Sequence, residues 1–232
     1  MKNSERAVNI PIGKITLYGD LSVPPEPRGL VLFAHGSGSS RRSPRNRFVA
    51  GVLQEAGMAT LLFDLLTESE ERVDERTAEL RFDIGLLASR LRAATEWIRA
   101  FDNFDPSGRV TPDKIPIGYF GASTGAAAAL IAAAGHTDIA AIVSRGGRPD
   151  LAGDALPIVT APTLLIVGGD DDVVIGMNEE AKARMRAETR LEIIPGATHL
   201  FEEPGALEEV ARLARVWFAR HLGRKLESDY AA

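Results

Sequence analysis

Five short, continuous apolar runs constrain this chain more than any other feature. They are GLVLFAHG (29–36), MATLLFDLL (58–66), IGYFGA (117–122), IAAIVS (139–144) and PTLLIVGG (162–169). Runs that do not alternate with polar residues mean strands covered on both faces. Helical spacing appears at 45–56, where Gly57 stands in a C-terminal cap position, and again at 81–101, 179–187 and 204–222. Residues 15–23 alternate loosely and predict a strand, closed by a turn at Pro24, Pro25 and Pro27; residues 190–196 predict another. The highly charged segment 67–80 reads as a solvated loop or short helix, and 102–114 as a loop. Strands and helices alternate throughout. The expected fold class is therefore α/β, a mostly parallel sheet with helices on both faces. No repeat or low-complexity linker divides residues 1–232, so one domain is expected.

Composition narrows the partners. Hydrophobic residues make up 45% of the 232, enough for a core, and a net charge of -5 gives no electrostatic reason to expect nucleic acid. The absence of cysteine removes disulfides, thiolate metal sites and a cysteine nucleophile, and it suits a reducing cytosol. No apolar run approaches the ~18 residues of a membrane span. The start, MKNSERAVNI, lacks the apolar stretch of a signal peptide. The expectation is a soluble cytoplasmic protein that engages no membrane.

In IGYFGASTGAAAAL (117–130) a strand pattern gives way to a helix pattern around Ser123, which lies between Gly121 and Gly125. G-x-S-x-G at a strand-to-helix turn is a nucleophile elbow, which strains the serine backbone and lifts its hydroxyl clear of the sheet. Glycines supply the missing Cβ atoms that so crowded a turn cannot hold. The alanines from Ala126 onward let the helix lie close to the sheet, with its free N–H groups aimed at a developing anion.

A serine hydroxyl needs a base held by a third group. His136 falls in a helix-end turn, and His221 in the last turn of the closing helix, where a positive ring complements the dipole. His199, in IIPGATHLFEEPG between the last strand and last helix, occupies the place of a catalytic histidine. The acid belongs after the penultimate strand, where LLIVGGDDDVV offers Asp170, Asp171 and Asp172. That triplet lacks the spaced oxygen ligands of a calcium loop, and neither metal nor cofactor is expected.

Taken in order, HGSGSS, GASTG, and GGDDDVV followed by GATHLF resemble the α/β-hydrolase superfamily, most closely its compact dienelactone-hydrolase-like branch, over about Ile15 to Leu222. The resemblance implies a triad of Ser123, Asp171 and His199, the acid taken from the family's G-x-x-D-x-x-V spacing with Asp172 as the fallback. It also implies an oxyanion hole from the backbone N–H groups of Ser37 and Thr124, with His35 bracing the loop. Dienelactone hydrolases proper use cysteine. A serine here implies carboxylesterase-like cleavage of small soluble esters, lactones or thioesters. Only about eighteen residues separate Ser144 from Thr163, too few for a large helical lid. A peptidase or amidase on the same fold, or a non-catalytic ligand-binding protein, are the alternatives. Arg41, Arg42 and Arg45, with Arg145 and Arg148, crowd the loops at this end of the sheet. Arg42 and Arg145 are candidates to bind an anionic group of the substrate through charge-assisted hydrogen bonds; the alternative is solvated surface charge.

Overall fold

The computed structural model describes residues 4–102, 104 and 110–223. Part of the expected 102–114 loop, at 103 and 105–109, lies outside the described residues. The apolar runs form β3 (Gly29–Ala34), β4 (Met58–Phe63), β5 (Ile117–Ala122), β6 (Ile139–Arg145) and β7 (Thr163–Gly168). Every residue of β3, β4, β5 and β7 is buried, as double-sided coverage requires. With β1 (Ser4–Ile12), β2 (Ile15–Val23) and β8 (Thr189–Ile194) they make one sheet in the order β1-β2-β4-β3-β5-β6-β7-β8. The pairs β1–β2 and β2–β4 are antiparallel; the remaining pairs are parallel. The helices are α1 (Pro44–Glu55), α2 (Glu68–Thr77), α3 (Ile84–Arg99), α4 (Thr124–Ala133), α5 (Asp172–Arg184) and α6 (Ala206–Leu222).

Two apolar layers result. On one face α3 and α4 cover Leu30, Leu32, Leu61 and Tyr119. On the other, α1 and α6 cover Val31, Phe33, Phe120 and Val143. Strand order reverses between β3 and β5, because β4 turns to one side of β3 and β5 to the other. Such a switch point opens a crevice at the carboxyl ends of the strands. The loop after β3 and the turn after β5 face each other there.

Two expectations are corrected, and one left open is decided. The strand β1 was not anticipated: SERAVNIPI lies at the sheet edge, is half polar and contains Pro11, which an edge strand tolerates. Of the two alternatives for the charged segment 67–80, a loop or a short helix, the helix forms: α2, opened by a capping box in which Thr67 and Glu70 satisfy each other's backbone N–H groups. The helix α5 begins at Asp172 rather than 179, its first turns hidden by the β-branched run Val173, Val174, Ile175. From β6 to β7 the chain passes through a short 3-10 segment, Pro149–Ile158, with no inserted lid. Among the described residues no helix is long and apolar enough to cross a membrane.

Candidate active site

The site begins with a strained turn. Ser123 has φ 50° and ψ -121°, a conformation that L-residues rarely adopt, and α4 starts at the next residue. Space explains the flanking glycines. A Cβ on Gly121 would stand 2.4 Å from Ala126 Cα, and one on Gly125 2.2 Å from the carbonyl oxygen of Ala34. Gly36 fits equally closely, since its Cβ would lie 3.0 Å from Ser123 Cβ. Thus the loop after β3 is pressed against the serine.

That loop is held from beneath. Leu65 N–H donates to His35 Nε2 at 3.0 Å, so this nitrogen is unprotonated, and Nδ1–H donates to the Gly36 carbonyl at 3.0 Å. Burial drives the His35 pKa below its ordinary value against the opposing pull of the Gly36 carbonyl and Asp64, consistent with a neutral ring. Arg41 pairs with Asp64 through both its backbone N–H (2.8 Å) and its guanidinium. Ser37 and Thr124 meet through their hydroxyls at 3.1 Å. Among the described residues their backbone N–H groups have no acceptor.

At the far side, His199 Nδ1–H donates to Asp171 Oδ2 at 2.7 Å. Tight backbone packing creates this pairing: a Cβ on Gly168 would lie 2.3 Å from the Ala197 carbonyl oxygen, and Asp170 N–H donates to that same oxygen at 2.9 Å. Asp170 and Asp172 point to solvent. The His199 ring packs on Gly146, whose Cβ would stand 3.5 Å from His199 Cε1. Next to it, the Arg145 carbonyl accepts the Ser123 N–H at 3.2 Å. The Ser123 hydroxyl and His199 Nε2 make no hydrogen bond to each other; unliganded sites often close that contact only on binding substrate. His136 is exposed in its turn, and the His221 ring packs tilted against Trp217 at 4.5 Å within α6.

The arginines divide. Arg41 and Arg148 are paired with Asp64 and Asp150. Arg42 is exposed and lines, with Arg45, a groove of about 600 Å³ bordered by Ser37–Ser40. Arg145 is buried and its cationic neighbour is Arg45, not Arg42. Sequence reasoning missed the wall opposite: Glu71, Asp74 and Arg81 line a cavity with Ser37 and Thr124. The T-x-x-E capping box at Thr67 was the available signal, since it fixes α2 and hence the direction of Glu71.

No family model matches the chain. It superposes over 96% of its length on the whole of a dienelactone hydrolase from Anabaena variabilis ATCC 29413, with 57% identity and a TM-score of 0.88. Est1E from Butyrivibrio proteoclasticus shares the fold at 18% identity and a TM-score of 0.74, over 93% of this chain and 98% of that one. In two strains of Mycobacterium tuberculosis a protein provisionally named a phosphoribosyl transferase is 55% identical over 221 residues, 94% of this chain. Those residues are 47% of the relative, so the chain spans about half the length of the curated relatives it matches.

Proposed function

Since the chain belongs to the α/β-hydrolases, in their dienelactone-hydrolase-like branch, we propose that it is a serine-dependent hydrolase of small carboxylic esters, lactones or thioesters. Ser123 Oγ attacks the carbonyl carbon while His199 Nε2 takes its proton. The backbone N–H groups of Ser37 and Thr124 stabilise the charge on the carbonyl oxygen. His199 then protonates the departing alcohol, leaving an acyl group on Ser123. Water attacks that acyl carbon with His199 again as base, and the carboxylic acid leaves. Asp171 holds the imidazole in the tautomer that leaves Nε2 free and stabilises the imidazolium.

The observation that carries this reading is the 2.7 Å contact between His199 and Asp171, set against a serine with φ 50° at the switch point of the sheet. The deciding experiment treats the protein with a fluorophosphonate and maps the adduct by mass spectrometry. Labelling at Ser123, with release of p-nitrophenol from short acyl esters, is expected. An unlabelled Ser123 would favour a binding protein, and release of amines from aminoacyl amides a peptidase. The transferase name of the mycobacterial relatives is assigned, in this reading, to the half of their length that this chain does not match. Phosphoribosyl transfer by this chain alone would overturn that assignment.

A further inference from the structure

Arg145 has no part in the chemistry just described, yet its side chain is 8% exposed and its Nε and Nη1 donate to no acceptor. Among the described residues no carboxylate pairs with it. Burial, and then Arg45, lower its pKa to about 10, so it stays charged at neutral pH. Other arginines near this end of the sheet are treated differently: Arg41 has Asp64, Arg81 has Asp74 and Arg90 has Glu70. A buried cation without an anion is costly. Alternation along β6 sets Arg145 on the same face as Ala141 and Val143, the face roofed by α1 and α6. Arg45, in the first turn of α1, is the charged group that acts on it. The N-terminus of that twelve-residue helix also favours negative charge. Glu202, on the loop that carries His199, reaches Arg45 at 3.0 Å but makes no bond to Arg145.

We propose that Arg145, Arg45 and the first turn of α1 form an anion subsite beside the ester-cleaving centre that takes the phosphate group of a phosphorylated ester. Pro44 has no N–H, and those of Asn46 and Arg47 go to Ser43, so the first turn of α1 offers the Arg45 N–H alone. With two guanidiniums it still makes more donors than the two oxygens of a carboxylate can use, and a phosphate presents three acceptor oxygens. Arg42 adds a third cation at the rim, against the single carboxylate of Glu202. Glu71 and Glu75 line the opposite wall of the groove, so an anion is favoured at the arginine wall alone. That the bound phosphate belongs to a substrate rests on the hydrolase reading; that phosphate binds does not.

The test has two readouts. In thermal unfolding of the full chain, inorganic phosphate is expected to raise the wild-type midpoint above that in chloride of equal ionic strength. Arg145→Met is expected to unfold at or above the wild-type midpoint without phosphate, because it removes an unpaired buried charge, and to show no phosphate-specific rise. In kinetics, the ratio of kcat/KM for a phosphorylated ester to that for a neutral ester of equal length is expected to fall roughly ten- to hundredfold in Arg145→Met. If Arg145→Met does not fold, Arg45→Ala, in the half-exposed first turn of α1, is expected to give the same fall. A phosphate rise retained in the variant, or no rise in wild type, overturns the subsite. An equal preference for a carboxylate-bearing ester overturns its assignment to phosphate. A phosphate rise without turnover of any ester would sink the hydrolase reading and leave the subsite standing.

Discussion

Two regions border the cleft, and they handle polar groups in opposite ways. On the α2 side most demands are met; Glu71 is the exception, its pKa raised by burial and by the nearby Asp64, Glu75 and Asp74. Glu70 caps its own helix and accepts from Arg90 at 2.7 and 3.1 Å. Although burial opposes ionisation of Glu70, these bonds from Arg90 and Thr67 bring its pKa below the ordinary carboxylate value. Asp74, almost fully buried, accepts from Arg81 N–H at 2.9 Å and Nε at 2.6 Å. On the side of β5, β6 and the His199 loop, Ser123 and Phe201 both hold positive φ, and Arg145 is buried without an anion. Backbone strain and unpaired charge cost free energy and persist only where the surroundings over-determine them. Ala78 also has a positive φ, but there it closes α2; at Ser123 and Arg145 the cost falls beside the candidate site, and such departures from local rules are expected where a chain carries function.

The sharpest way to break this contrast is at Ser123. Ser123→Ala is expected to lower ester turnover by about 10⁴-fold or more while the unfolding free energy barely changes. Ser123→Gly is expected to be equally inactive and more stable by about 1 kcal/mol, since glycine accepts φ 50° without strain. Urea unfolding beside a p-nitrophenyl ester assay checks both, and a Ser123→Gly protein less stable than wild type would remove the argument from strain. Next in size is Asp171→Asn, expected to reduce kcat by about 10³- to 10⁴-fold through loss of the correct His199 tautomer. Asp170→Asn and Asp172→Asn, both solvent-facing, are expected to stay within a few-fold of wild type.

On the satisfied side the signs reverse. Glu70→Gln strips Arg90, only 9% exposed, of its carboxylate, and about 2–3 kcal/mol of stability is expected to go with it, because Glu70 itself is partly solvated. A urea midpoint unchanged from wild type would show that the pair contributes nothing. The smallest effect is a slope. His35 binds its proton more weakly in the folded than in the unfolded chain. The unfolded state therefore takes up more protons as pH falls below about 6.5, and stability is lost with falling pH at up to about 1.4 kcal/mol per pH unit. Above that pH the contribution is flat. His35→Gln, which has no titrating group there, is expected to lack this part of the slope when unfolding is followed from pH 7.5 to 5.5.

The same contrast marks what was legible in the sequence. The elbow and the sheet centre were readable because they rest on local patterns: an apolar run of strand length, then G-x-S-x-G, then alanines. The residues alone left Asp170, Asp171 and Asp172 open, and only the family resemblance pointed to Asp171; in the fold Gly168 and Gly169 pack closely on the His199 loop and set Asp171 against the ring. What escaped depends on distances between elements. The sequence displays Arg41, Arg45, Arg145 and Arg148 alike, and only the fold pairs two of them with aspartates and buries a third without one. The charges of α2 read as solvated because their partners, Arg81 and Arg90, lie beyond its end. An edge strand such as β1, apolar at alternate positions only through Val8 and Ile10, offers too short a pattern to stand out.

The clearances at the elbow also bear on what variants of this protein can arise. A single methyl group at Gly121 or Gly125 meets backbone at 2.4 or 2.2 Å, so neither position can change before β3, β5 or α4 moves. Mutation cannot explore the floor of the cleft one step at a time. On α2, Glu71 is half-buried and Glu75 exposed, and both line the groove, so a substitution there meets solvent rather than packed backbone. A change in what the cleft accepts is therefore expected to come through that wall before it comes through the floor.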